Sequence, residues 1–119
     1  MTPFAVILQR AVESTPNAIG GAFADADGEM VDSYSKIDQH EWAVLTAHYG
    51  VVMAHLHAAF GTWHFGGPEY FIAQHHKLQI VVCAVDAGYY ALMALKEPAN
   101  LGLALQQLHI AAVELRREM

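Results

Sequence analysis

"AHYGVVMAHLHAAFGTWHFGG", Ala47 to Gly67, contains no Asp, Glu, Lys or Arg, yet it carries four of the chain's eight histidines. No charged residue occurs between Glu41 and Glu69. Three readings compete: a membrane segment, a metal site, or a helix covered on more than one side. The membrane reading fails first. Histidines, two internal glycines and a Gly-Gly-Pro end interrupt the run, and ionisable groups inside a bilayer are costly.

The metal reading fares little better. His55 and His57 are two apart, so on a helix they point to different faces. "HEWAV" at His40 lacks the second histidine of an H-E-x-x-H pair. His75 and His76 are neighbours at a strand end and face opposite ways. No cysteine or carboxylate completes a structural zinc set. Loops and strand ends converge more readily than helix faces, so His64, His75 and His76 are the first residues to inspect. No metal or other cofactor is assigned.

The helical wheel supports the third reading. At about 100° per residue, Trp42, Leu45, Tyr49, Val52, Met53, Leu56 and Phe60 share one face. Ala43, Ala47, Gly50, Ala54 and Ala58 share the opposite one, with Val44, Val51, His48 and His55 between. A helix without a charged face is covered on both sides. A sheet accounts for the bulky stripe and a close second helix for the small one. His48 and His55, seven apart, flank the small stripe, and burial at a seam disfavours the charged imidazole. It reads as an interface helix, running from Asp38 as cap through about Gln39 to Ala59.

The surrounding sequence supplies the sheet. Thr2 and Pro3 start a first helix, with Phe4, Ile7, Leu8, Ala11 and Val12 at helical spacing, and Ser14-Thr15-Pro16 stop it. "AIGGAFADADGEMVDSYS" predicts a hairpin: strands Ile19–Ala26 and Glu29–Ser35 around a type I′ Asp27-Gly28 turn. The small residues Gly20, Gly21 and Ala22 let helices approach the sheet closely. After the "GTWHFGGP" loop, Glu69–His75, Leu78–Val85 and Tyr89–Lys96 read as three strands. Leu78–Val85 is apolar on both faces and reads as central. Glu97 to Asn100 open a last helix, with Leu101, Leu105, Leu108, Ala112 and Leu115 in one stripe. The expected class is α+β: a five-stranded antiparallel sheet sandwiched between helices, in the order helix, two strands, helix, three strands, helix.

Length predicts one domain, residues 1–119. The chain is 55% hydrophobic and 15% charged, a balance that suits extra burial against a copy of itself or a partner. A net charge of −6, with basic residues scattered along the chain, argues against nucleic acid and polybasic membrane attachment. Cys83, inside "IVVCAV", reads as a buried structural thiol. "MTPFAVILQR" has no basic region before its apolar residues, so a signal peptide is not expected and a cytoplasmic location is.

Enzyme chemistry finds no constellation: serine is sparse, and no G-x-S-x-G or C-x-x-C pattern occurs. Asp25, Asp27 and Glu29 lack the spacing of a calcium loop and read as a solvated hairpin tip.

The order of elements, together with "GAFADADGEMVDSYS", "FGGPEYFIAQHHKLQIVVCAVDAGYYALMAL" and "NLGLALQQLHIAAVELRREM", resembles the roadblock (dynein light chain) family, the bacterial MglB-like members most of all. The resemblance implies a dimer in which third strands meet edge to edge and second helices pack against each other. The interface would then be Ala47, His48, Gly50, Val51, Ala54, His55 and Ala58 of the helix with Tyr70, Phe71 and Ile72 of the strand. It further implies a non-enzymatic regulator or adaptor that binds a small Ras-like GTPase. Aromatics in a Gly-rich loop make Trp63 and Phe65 a partner-docking loop if exposed and part of the core if buried. An arginine finger needs a reachable loop arginine, and this chain's arginines lie on the first and last helices. The alternative reading is a small-molecule or metal-sensing module with its pocket near Trp63, His64 and Phe65.

Overall fold

The Thr2 hydroxyl accepts the Ala5 N–H at 3.1 Å, and Pro3 sits in the first turn, where a helix has no use for an N–H. Those two residues start α1 (Pro3–Glu13). The computed structural model describes residues 1–119. It continues through β1 (Ala18–Ala24), β2 (Met30–Ser35), α2 (Gln39–Phe60), β3 (Tyr70–His75), β4 (Leu78–Asp86), β5 (Tyr89–Lys96) and α3 (Leu101–Arg117). The Asp38 carboxylate caps α2 by accepting the N–H groups of His40 at 3.0 Å and Glu41 at 3.1 Å. Asn100 caps α3 through Leu103 at 3.0 Å.

All strand pairs are antiparallel, in the order β2-β1-β5-β4-β3. The sheet and its helices follow the expected layout. One placement differs: β5 is the central strand, buried from Tyr90 to Leu95, and β4 lies one place off centre, between β5 and β3. Both strands are apolar on both faces, so composition does not rank them. The pairing of β1 with β5 does.

Helices α1 and α3 cover one face, where Leu8, Val12, Leu108 and Leu115 meet Phe23, Val81, Met93 and Leu95. On the other face α2 stands alone, its Trp42, Tyr49 and Met53 packed on Ile80, Val82, Leu92 and Ala94. Glycines in β1 set both distances of approach. A Cβ on Gly20 would lie 2.7 Å from the Trp42 ring, and one on Gly21 would lie 3.2 Å from the Val12 Cγ2.

The first hairpin turns differently from the type I′ reading. That turn needs positive φ at both central residues, and here Gly28 has it (+83°) while Asp27 does not. Asp25 closes the loop instead. Its carboxylate accepts the Asp27 N–H at 2.9 Å and the Glu29 N–H at 3.0 Å, and its backbone N–H reaches Glu29 O at 2.9 Å. The strands therefore end at Ala24 and resume at Met30, inside the expected bounds. Paired positive φ values occur in the β4–β5 turn, at Ala87 (51°) and Gly88 (84°).

Candidate functional site

From Val44 to Ala58 the side of α2 turned from the sheet carries no Asp, Glu, Lys or Arg and is open to solvent. Val44, Ala47, His48, Val51, Val52, His55 and Ala58 are exposed there, Val51 to 58%. The sheet side carries Trp42, Thr46, Tyr49, Gly50 and Met53. Two positions correct the wheel reading. Gly50 is buried, because the first hairpin's Gly28 packs directly on it. Val52, expected on the sheet side, is 40% exposed. Ala54 is half-buried on the flank, between the two faces.

β3 is an edge strand, paired only with β4. Its side chains divide between the two faces of the sheet. Phe71 and Ala73, opposite Val82 and Ile80, pack on the α2 side. Tyr70 and Ile72, opposite Cys83 and Val81, lie on the α3 side and are 52% and 42% exposed. The end of β3 is tied to α2 by a hydrogen bond of 2.5 Å between the Tyr49 hydroxyl and His75 Nε2. Burial pushes the Tyr49 phenol above its ordinary value. Sequence pattern gave no sign of this pairing, which joins residues 26 apart.

Trp63 and Phe65 are 50% and 74% exposed, in a loop where their rings meet edge to face at 5.1 Å. Phe60 stacks on Trp63 from the end of α2, and His64 lies 4.3 Å from the Phe65 ring. The loop is therefore an aromatic knob on the surface. No three His, Cys, Asp or Glu side chains converge as a metal site anywhere in the fold, so His64, His75 and His76 do not form one.

Trp63, His64 and Phe65 do not line the cleft beside them. That cleft lies between the end of α2, Gly66–Glu69 and the β4–β5 turn. Cys83 is buried; burial first, and then the Glu69 charge, push its thiol up. Arg10 forms an ion pair with Glu114 at 2.6 Å across α1 and α3, on the far side of the sheet from α2. The helix α2 is long and apolar enough to cross a membrane by length and composition, and here it packs along a sheet.

No family model matches the chain, and no curated protein matches its sequence. Its fold is shared with solved roadblock structures over nearly the whole length. Myxococcus xanthus MglB aligns with a TM-score of 0.82 at 14% identity, covering 99% of this chain and 95% of that one. MglC from Myxococcus xanthus aligns at 0.75 and 20% identity, covering 99% and 100%. A Roadblock/LC7 domain from Streptomyces avermitilis aligns at 0.76 and 11% identity, covering 95% and 94%. The five-stranded sheet with three helices is thus a roadblock-like fold.

Proposed function

We propose that this chain is a homodimeric, non-enzymatic regulator or adaptor that binds a small Ras-like GTPase and alters its nucleotide state or its location. One observation supports the reading: from Val44 to Ala58 the α2 helix keeps an exposed face free of Asp, Glu, Lys and Arg, in a fold whose β3 edge is open. An edge strand presents unpaired N–H and C=O groups that a second strand satisfies. Apolar surface contributes roughly 25 cal/mol per Å² when covered. A two-fold pairing of β3 edges brings two α2 helices together and covers both features at once. Ala47, His48, Val51, His55 and Ala58 then form the seam, with Ala54 at its margin. Tyr70 and Ile72 flank the joined strands. Gly50 supports the helix from beneath.

The Trp63–Phe65 knob is the docking element for the GTPase, because exposed aromatics on a glycine-bounded loop are the residue types that anchor interfaces. Arg10 is held on the α1–α3 side and Arg116 and Arg117 end α3. The chain therefore acts by repositioning the GTPase's own residues, without supplying an arginine. The test is binding of the purified protein to small GTPases of its source organism, loaded with GDP or a non-hydrolysable GTP analogue. Tighter binding to one nucleotide state, weakened at least about tenfold by Phe65→Ala with Trp63→Ala at unchanged helicity, is the expected result. Equal affinity for both states, or none, overturns the reading.

A further inference from the structure

The cleft at the end of α2 has a volume of about 240 Å³, far above the ~30 Å³ share of one water. Two carboxylates line it, Glu69 and Asp86, and no lysine or arginine does. Asp86 is held by accepting the Ala87 N–H at 2.9 Å through one oxygen, which leaves the second for a ligand. The carbonyl end of α2, at Phe60 and Gly61, adds partial negative charge.

A second, independent feature is the Tyr90 hydroxyl. Tyr90 is 5% exposed and lines the cleft, and its one hydrogen bond is a long donation to Pro68 O at 3.5 Å. Its oxygen lone pairs have no donor. Glycines keep this group accessible: a Cβ on Gly67 would stand 2.9 Å from the Tyr90 hydroxyl, and one on Gly88 would stand 2.6 Å from the His57 ring. The aromatic rings of Phe60, Tyr89 and Tyr90 also line the wall, and ring faces attract cations.

We propose that this cleft binds a guanidinium group, carried by a free small molecule or by an arginine of a partner protein. A bare metal ion is a poor match, because Glu69, Asp86 and His57 do not converge as ligands. Guanidinium presents five N–H donors in a planar fork. It reaches separated acceptors: the two carboxylates at the mouth and the phenol oxygen within. Tyr90 keeps its own proton on Pro68 O while its lone pairs accept from the ligand. The cleft adjoins the Trp63–Phe65 loop at the end of α2, and its test uses no GTPase.

The test is titration of the full chain with N-acetyl-arginine amide, followed by amide NMR. N-acetyl-citrulline amide, of similar shape and uncharged, is the control. Saturable shifts at Gly88 and Tyr90 with the arginine compound and none with citrulline are expected. Tyr90→Phe weakens binding about tenfold, the usual loss for one hydrogen bond to a charged group, with an unchanged melting temperature. Glu69→Gln with Asp86→Asn abolishes it. Equal response to citrulline, no saturable shift at millimolar arginine compound, or wild-type affinity in the double carboxamide variant overturns the site. Short arginine peptides separate the sources. Affinity that grows with flanking residues marks a partner's arginine, and affinity that does not marks a free guanidinium compound; either result sustains the site.

Discussion

A Cβ on Gly50 would lie 2.3 Å from the Gly28 carbonyl oxygen, and one on Gly28 would lie 1.9 Å from that of Gly50. Helix and hairpin touch backbone to backbone there, so Gly50→Ala forces them apart. Overpacking of this kind costs about 1–3 kcal/mol, and a melting temperature lower by roughly 5–15 °C is expected for a domain of this size. A variant that melts with the wild type would show that the helix is not seated on the hairpin. The wheel marked Gly50 as a place of close approach and assigned that approach to a second helix, whereas the backbone of Gly28 is what meets it. The wheel put it among alanines, and the hairpin tip that meets it lies 22 residues earlier in the chain. Gly20 and Gly21 were legible more fully, because adjacent strand residues face opposite sides and one helix or another had to cover each.

Among the elements, α1 and β2 are linked through Glu13. Its carboxylate accepts from the Gln9 amide at 3.0 Å and the Tyr34 hydroxyl at 3.1 Å. Those two bonds, Gln9 first, hold Glu13 below its ordinary value of 4.5. A carboxyl lowered by folding stabilises the native state above the unfolded value, and that contribution is lost as pH falls through the lowered folded value. Tyr34→Phe removes one donor, so the Glu13 titration midpoint moves up toward 4.5, as carbon-detected NMR would read. An unmoved midpoint would show that the hydroxyl bond is not formed in solution. For α2 the expected outcome is sharper. Val51 lies in the middle of the outward face, and Val51→Glu buries an unpaired carboxylate at the seam, a cost of several kcal/mol by order of magnitude. Sedimentation at tens of micromolar should show a wild-type dimer and a monomeric variant. A wild-type monomer would end the dimer reading, and a dimeric variant would place the seam elsewhere. Element boundaries were legible because their punctuation is local: Thr2, Asp38 and Asn100 as caps, Pro16 and Pro98 as breaks. The first turn was misread because the Asp25 carboxylate, rather than the dipeptide after it, sets the geometry. The cleft was not legible at all. Three segments far apart in sequence build it, and none is distinctive alone.

Taken whole, the molecule has two unequal halves. Seventeen buried residues form the core under α1 and α3, and ten form the one under α2. Stability within a fold is distributed according to such burial, and weakly covered units open ahead of the rest. The backbone amides of α2 should therefore exchange with deuterium through a local opening that leaves β5 protected, giving α2 a lower opening free energy than the central strand. Raising protein concentration, or adding a partner that covers the helix, should slow α2 exchange and leave β5 almost unchanged. Uniform exchange across both elements at every concentration would mean that the smaller core is no weaker than the larger. A helix seated on a sheet by one face only would thus report, through the lifetimes of its own amide protons, whether anything has come to rest on the other.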